Sequence, residues 1–180
     1  MNSRTKDLVY VAIYVALAVV LDIVKEYIGF LDMPSGGSIN IALIPIVVAS
    51  FHMGWKKGVV VAATWWLLSS ILGLNSNIVG VMQYILDYVV SSLVIGAAAI
   101  FAVKKRNIWT IELGIVVTML IRTFAINLSG AYFWLGDSVA AGSQAAWVGS
   151  LAYNLPYCIA TMVMLMIIVP IIVSRIKVKN

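Results

Sequence analysis

Charge is what this sequence has least of. Asp, Glu, Lys and Arg make up 11% of its 180 residues, against about a quarter in a soluble domain, which leaves too little polar surface to wrap a water-soluble core. Cysteine is nearly absent too. The single Cys158 allows no internal disulfide and no cysteine metal site, and is read as packing. The single histidine, His52, stands at the end of an apolar run far from the other polar residues, and is read as interfacial rather than as a general base or metal ligand. No G-x-x-x-x-G-K-[ST] phosphate loop occurs, so any ATP-driven work falls to another subunit. Neither an H-E-x-x-H motif, nor a nucleophile–base arrangement, nor a second carboxylate at catalytic spacing from Asp87 is present. Chemistry is therefore the weaker class of function, and nothing calls for a cofactor or metal. The internal repeat common in secondary transporters is also missing.

What is present is apolar sequence: 63% hydrophobic residues and a mean hydropathy of +1.04. Several runs approach the roughly 20 residues that cross hydrocarbon as a helix. They are continuous rather than alternating, which argues against a β-barrel, and lipid admits only helices or closed barrels as spanning structures. The expected fold is an all-α integral membrane protein, one domain over residues 1–180, with six spans near 8–28, 39–54, 57–73, 79–102, 109–134 and 147–173. The first run lacks a small-residue cleavage site and is read as a retained helix, not a signal peptide.

The basic residues then fall into place. Arg4 and Lys6 precede span 1, Lys56 and Lys57 separate spans 2 and 3, Lys104, Lys105 and Arg106 separate spans 4 and 5, and Arg175, Lys177 and Lys179 follow span 6. With six spans all of these share one side. The other side holds Lys25 with Glu26, Asp32 and Asp137. The positive-inside rule puts both termini in the cytoplasm. It also accounts for the net charge of +5 without a nucleic-acid partner.

Against this background the polar residues inside spans stand out. Span 4 reads GVMQYILDYVVSSLVIGAAAIF. Asp87 has Gln83 one turn earlier on its own face, and Tyr84 and Tyr88 form a second i,i+4 pair beside it. A carboxylate at this depth needs a pairing partner or a water-filled cavity. It is either a site for a cationic or amine-bearing solute or half of a structural ion pair with Arg122. Arg122, near the middle of span 5, has three readings: neutralising Asp87, touching a ligand, or anchoring the bundle. We take it as an anchor. Tyr132, Phe133 and Trp134 at the outer end of span 5, and Trp147 opening span 6, form either an interfacial belt or the walls of a pocket for a flat ligand. Asn154, two turns into span 6 and followed by Pro156, offers both a donor and an acceptor, to a ligand or to a neighbouring helix. Pro34, Gly36 and Gly37 mark a turn in the first outer loop, a lid or a mere connection. Trp65 and Trp66 cannot both face inward. Ala12 and Ala16 give span 1 a small-residue surface suited to close helix approach.

These stretches together resemble the substrate-binding S-components of bacterial energy-coupling factor (ECF) vitamin transporters, more narrowly the thiamine-specific members. The resemblance covers nearly the whole chain and rests on the six-span plan and on MPSGGSINIALIPI, GWKKGVVVAATWW, QYILDY, GAYFW, SLAYNLP and the alanines of AIYVALA. It implies capture of thiamine from outside the cell, without catalysis, in an outward pocket where aromatic rings stack on the two heterocycles and an acidic residue of span 4 contacts the cation. That position looks like Asp87, with Tyr88 and Gln83 near it; the span 5 tryptophan looks like Trp134, the span 6 asparagine like Asn154 and the span 3 tryptophan like Trp65. The resemblance further implies a lid in the first loop, docking through Ala12 and Ala16 onto a transmembrane coupling subunit, and two ATPase subunits that power the complex in the bacterial cytoplasmic membrane. The chain departs from the family pattern in three places. Asp87 replaces the usual glutamate, Ile126 stands nearest an expected histidine, and Gly149 falls where a tyrosine is expected. Alternatives are an S-component for a thiamine precursor or another flat amine-bearing vitamin, a self-sufficient secondary transporter, a membrane enzyme using Asp87 and Asn154, and a purely structural bundle.

Overall fold

The computed structural model describes residues 2–27, 31–34, 36–74, 77–102, 107–134 and 139–176. They form helical stretches in the order α1 (Ser3–Tyr27), α2 (Leu43–Met53), α3 (Trp55–Ile71), α4 (Val81–Ala102), α5 (Ile108–Phe133) and α6 (Gln144–Arg175). Four of them, α1, α4, α5 and α6, are long and apolar enough to cross a membrane. With 11 residues, α2 rises only about 16 Å, half of a hydrocarbon core. The basic residues Lys104, Lys105, Arg106, Lys177 and Lys179, and Asp137, lie outside the described residues.

The helix ends follow local chemistry. Asn107 caps α5: its Oδ1 accepts from the Thr110 backbone N–H at 2.9 Å, while Thr110 Oγ1 accepts from the Asn107 N–H at 3.0 Å, a reciprocal capping box. Ser143 Oγ accepts from the Ala146 N–H at 3.2 Å to start α6. Gly54, at φ 90°, is the one residue between α2 and α3. The second and third expected spans thus meet almost end to end, because a glycine at positive φ turns the chain without a longer loop.

The core is built around α2. Ten of its 11 residues are buried, and apolar side chains of α1, α3, α4, α5 and α6 pack on it. Backbones come close where side chains are smallest. A Cβ on Gly96 of α4 would lie 2.6 Å from the Gly58 carbonyl oxygen of α3, the close approach that small residues permit between membrane helices. By contrast only 17% of the α1 span is buried, against 44% for α5.

Two expectations change. Residues 39–42 belong to the first loop rather than to α2. And α4 is not one regular helix: an α-helical turn (Val81–Tyr84) runs into a π-helical stretch (Ile85–Val90), then α (Ser91–Gly96) and 3₁₀ (Ala98–Ala102). Hydropathy periodicity does not distinguish these states. His52, at the end of α2, is buried within the protein, its Nδ1 2.9 Å from the Tyr14 hydroxyl.

Candidate functional site

A cavity of about 840 Å³ opens between the first loop, the end of α1 and one face each of α3 to α6. Its volume lies within the range of small-molecule sites.

The α4 wall carries Asp87, Tyr88, Ser91 and Ser92, beginning in the π-helical stretch, a geometry often found at functional sites. The carbonyls there take side-chain donors: Ser91 Oγ donates to the Asp87 carbonyl, and Arg122 Nη1 donates to the Ser91 carbonyl at 3.1 Å. The Asp87 carboxylate is held by neutral donors. Gln83 Nε2 donates to its Oδ2 at 2.7 Å and Trp134 Nε1 donates to the same oxygen at 2.9 Å. Oδ1 is buried with no hydrogen-bond partner among the described residues. The alternative reading, an Asp87–Arg122 ion pair, is not formed among the described residues.

Gln83 is buried and does not line the cavity; it braces Asp87 and accepts the Val79 N–H on its Oε1 at 3.0 Å. Tyr84 also stands behind the wall, its hydroxyl 2.6 Å from Ser70 Oγ and its ring 5.2 Å from that of Tyr88. Trp65 lines the cavity, with its Nε1 buried and unpartnered, and Trp66 turns to Tyr84 instead, at 6.1 Å. Along α5, Arg122, Ile126, Gly130 and Trp134 recur at i,i+4 on the cavity face. Trp147 is not on it, packing on Phe124 and Tyr132.

Asn154 of α6 lines the cavity but is occupied by protein: its Oδ1 accepts from the Tyr157 hydroxyl at 2.6 Å and its Nδ2 donates to Ser150 Oγ at 3.1 Å. Ser150 in turn donates to the Asn127 carbonyl at 2.9 Å. The amide thus fixes Tyr157. Tyr153 and Tyr157, which sequence reasoning missed, line the cavity and meet the first loop. That loop is a tight antiparallel turn, with an Asp32–Ser38 bridge and the Met33 N–H donating to the Gly37 carbonyl at 2.9 Å. Gly36 (φ 97°) and Gly37 (φ 71°) lie so close to the rings of Tyr153 and Tyr157, respectively, that a Cβ on either would collide. Beyond them the Asn40 N–H donates to Thr161 Oγ1 at 3.1 Å. Gly36 and Gly37 line the cavity, whereas Pro34 does not.

The end of α1 supplies a second acidic group that sequence reasoning also missed. Asp22, buried, accepts from Ser69 Oγ at 2.9 Å and pairs with Lys25 at 3.2 Å, which also meets Glu26 at 3.3 Å. Its signal was legible: Asp22 and Lys25 stand three apart on one helix face. Asp22, Glu26, Asp32 and Asp87 line the cavity against Lys25 and Arg122, a formal excess of two negative charges that favours a cation.

A helical membrane bundle with an aromatic, acidic cavity roofed by a loop defines a membrane-embedded binding protein for a small cationic solute. The chain belongs to the family described as "Thiamine transporter protein (Thia_YuaJ)", whose family model matches residues 8–180. It is 32% identical over 177 residues to the "Thiamine transporter ThiT" of Bacillus subtilis (strain 168), covering 93% of this chain and 90% of that relative. The fold is similar to a solved structure of ThiT from Listeria monocytogenes, with a TM-score of 0.78 over 96% of both chains at 24% identity. It is thus a multi-pass bacterial membrane protein, and its family is one of transporters rather than enzymes.

Proposed function

We propose that this chain captures thiamine with high affinity from outside the cell, as the substrate-specificity subunit of an ECF importer. The observation that carries this reading is Asp87, a carboxylate within a membrane-length helix that neutral donors hold in place and whose second oxygen has no partner among the described residues. Thiamine brings a thiazolium cation and an aminopyrimidine. A carboxylate offsets the charge or accepts from the amine, and the faces of Tyr88 and Trp134 favour a cation or flat ring. Because Gln83 and Trp134 fix Asp87 beforehand, little ordering is left for the binding step.

On this reading α2 and α3 complete six crossings in a single domain. The Lys57–Asp7 ion pair at 2.7 Å supports that topology, since it joins the start of α1 to the start of α3 at the end away from the loop. That basic end is cytoplasmic, and the lid faces outside. The exposed residues Ala12 and Ala16 of the sparsely buried α1 dock on a transmembrane coupling subunit, with two ATPase subunits supplying energy. Replacing both with Trp abolishes uptake in cells that contain the coupling module while leaving purified-protein binding intact; normal uptake removes the docking role.

The binding test is intrinsic tryptophan fluorescence of purified protein titrated with thiamine, its phosphates and its pyrimidine and thiazole precursors. Saturable quenching by thiamine, lost in Asp87→Asn, is the expected result. A response to a precursor alone replaces the substrate and keeps the site. That second reading is favoured by Ile126 and Gly149, which put no polar side chain on the wall they line.

A further inference from the structure

One narrow face holds α1 to the bundle. Asp7, Val11, Tyr14, Ala18, Asp22 and Lys25 recur at steps of three and four, and each is buried or half-buried, whereas only 17% of the α1 span is buried. Apolar contact alone gives such a helix little reason to keep one rotation, because lipid tails are as apolar as the bundle. Polar links do give one. Three lie along this face: Asp7 pairs with Lys57 of α3 at 2.7 Å near the inner end, the Tyr14 hydroxyl lies 2.9 Å from Nδ1 of His52 on α2, and Asp22 accepts from Ser69 Oγ of α3 at 2.9 Å near the outer end.

The middle link is more than a hydrogen bond. The buried His52 ring takes two tyrosines of α1 edge-on, Tyr10 with ring centroids 5.0 Å apart and Tyr14 at 5.9 Å. These tyrosines stand one turn apart and so share a side of the helix. Ala12 and Ala16 each follow one of them by two residues, about 200° around an α-helix, and both are exposed. Whatever holds the tyrosines on His52 therefore aims the alanines away from the bundle. Of the three links along α1, this one is level with them.

We propose that His52 is a positioning residue for the docking face. By holding Tyr10 and Tyr14 it fixes the rotation of α1 and so presents Ala12 and Ala16 to the coupling subunit. It does not line the cavity, so it acts on docking and not on capture. The inference rests on the reading of Ala12 and Ala16 as docking residues.

The test separates rotation from stability. His52→Leu removes the hydrogen-bonding group at similar bulk, whereas His52→Gln keeps an amide that can give or accept a bond with the Tyr14 hydroxyl. Each variant is measured for thiamine binding by fluorescence, for melting temperature, and for assembly with the coupling subunit and its two ATPases in lipid nanodiscs. Thiamine affinity should stay within about twofold of wild type in both, as expected of distant sites; a larger fall places His52 in capture and overturns the proposal. Assembly should weaken about threefold or more in His52→Leu, the size of an interhelical hydrogen bond in a membrane, and return to within about twofold of wild type in His52→Gln. The glutamine variant should nonetheless melt lower than the leucine one, since an amide is the poorer occupant of a buried apolar seat. Assembly that merely follows melting temperature, that is no better in His52→Gln than in His52→Leu, or that stays at the wild-type level in His52→Leu overturns the proposal. If neither variant folds, Tyr14→Phe, which deletes the hydroxyl and keeps the ring, is judged in their place: assembly should weaken about threefold, and wild-type assembly overturns the proposal. Normal assembly by Ala12→Trp/Ala16→Trp overturns the docking reading and this inference together, whereas blocked assembly there with normal assembly in His52→Leu overturns this inference alone.

Discussion

Two aspartates, Asp22 buried and Asp87 half-buried, line the same cavity and are treated in opposite ways. Asp22, at the end of α1, is answered by a cation: Lys25 lies 3.2 Å from one oxygen and the Ser69 hydroxyl 2.9 Å from the other. Asp87, on α4, receives two neutral N–H donors on a single oxygen, and the other oxygen receives nothing from the described residues. Neutral donors lower the cost of burying a carboxylate without cancelling its charge. A lysine cancels it. The first arrangement leaves a charge available to a cationic ligand, and the second ties α1 to α3. Composition alone does not separate the two residues, since each is an aspartate within an apolar helix.

The largest test of this contrast is Asp87→Asn, which keeps the shape and removes the charge. It should weaken thiamine binding about a hundredfold, or about 2.7 kcal/mol, measured by fluorescence titration, with little change in thermal stability. An unchanged affinity makes Asp87 structural and removes the contrast.

Next in size is the lid. Gly37→Val places a branched side chain against the Tyr157 ring at a backbone angle that favours glycine. The loop then cannot seat, and stopped-flow dissociation of thiamine should accelerate about tenfold, a loss of about 1.4 kcal/mol. A dissociation rate like that of the wild type means the loop does not close over the ligand.

Smaller again is Trp134→Phe. It keeps an aromatic face on the cavity and deletes one of the two donors to Asp87 Oδ2. The expected loss is about 1 kcal/mol, or about fivefold in affinity. A loss as large as that of Asp87→Asn would mean that the indole itself, not its hold on the carboxylate, carries recognition.

The smallest effect on binding belongs to Asp22→Asn. Affinity should stay within about threefold, while the melting temperature falls as Lys25 loses its buried partner, a cost of about 2 kcal/mol. A drop in affinity matching that of Asp87→Asn would show that both acids serve the ligand.

Much of the site was legible because it is local. Gln83 reaches Asp87 because residues four apart share a helix face, and the pairing of Tyr84 with Tyr88 follows the same rule. Gly36 and Gly37 declare a turn by composition, although their seats on Tyr153 and Tyr157 do not appear in the loop's own sequence. Trp147 was drawn toward the cavity by its place at the outer end of a helix, yet helix rotation turned it to Phe124 and Tyr132. Asn154 faces the cavity as expected, but two protein partners take it up, which its position in the chain could not reveal. The π-helical stretch left no trace in the hydropathy pattern, because one added residue per turn changes backbone hydrogen bonding without changing which residues are apolar.

By itself the sequence determined that the chain folds as membrane helices, since hydropathy, scarce charge and run length are properties of adjacent residues. It also determined which acid stands in the middle of an apolar helix beside a glutamine and two tyrosines. Only the tertiary structure decided that Trp134 holds Asp87, that Ser69 answers Asp22, and that Arg122 lines the cavity with no ion pair to a carboxylate among the described residues. These are contacts between helices distant in the chain. Their formation depends on how each helix is rotated and how closely small residues such as Gly58 and Gly96 let the backbones approach, neither of which is fixed until the bundle packs.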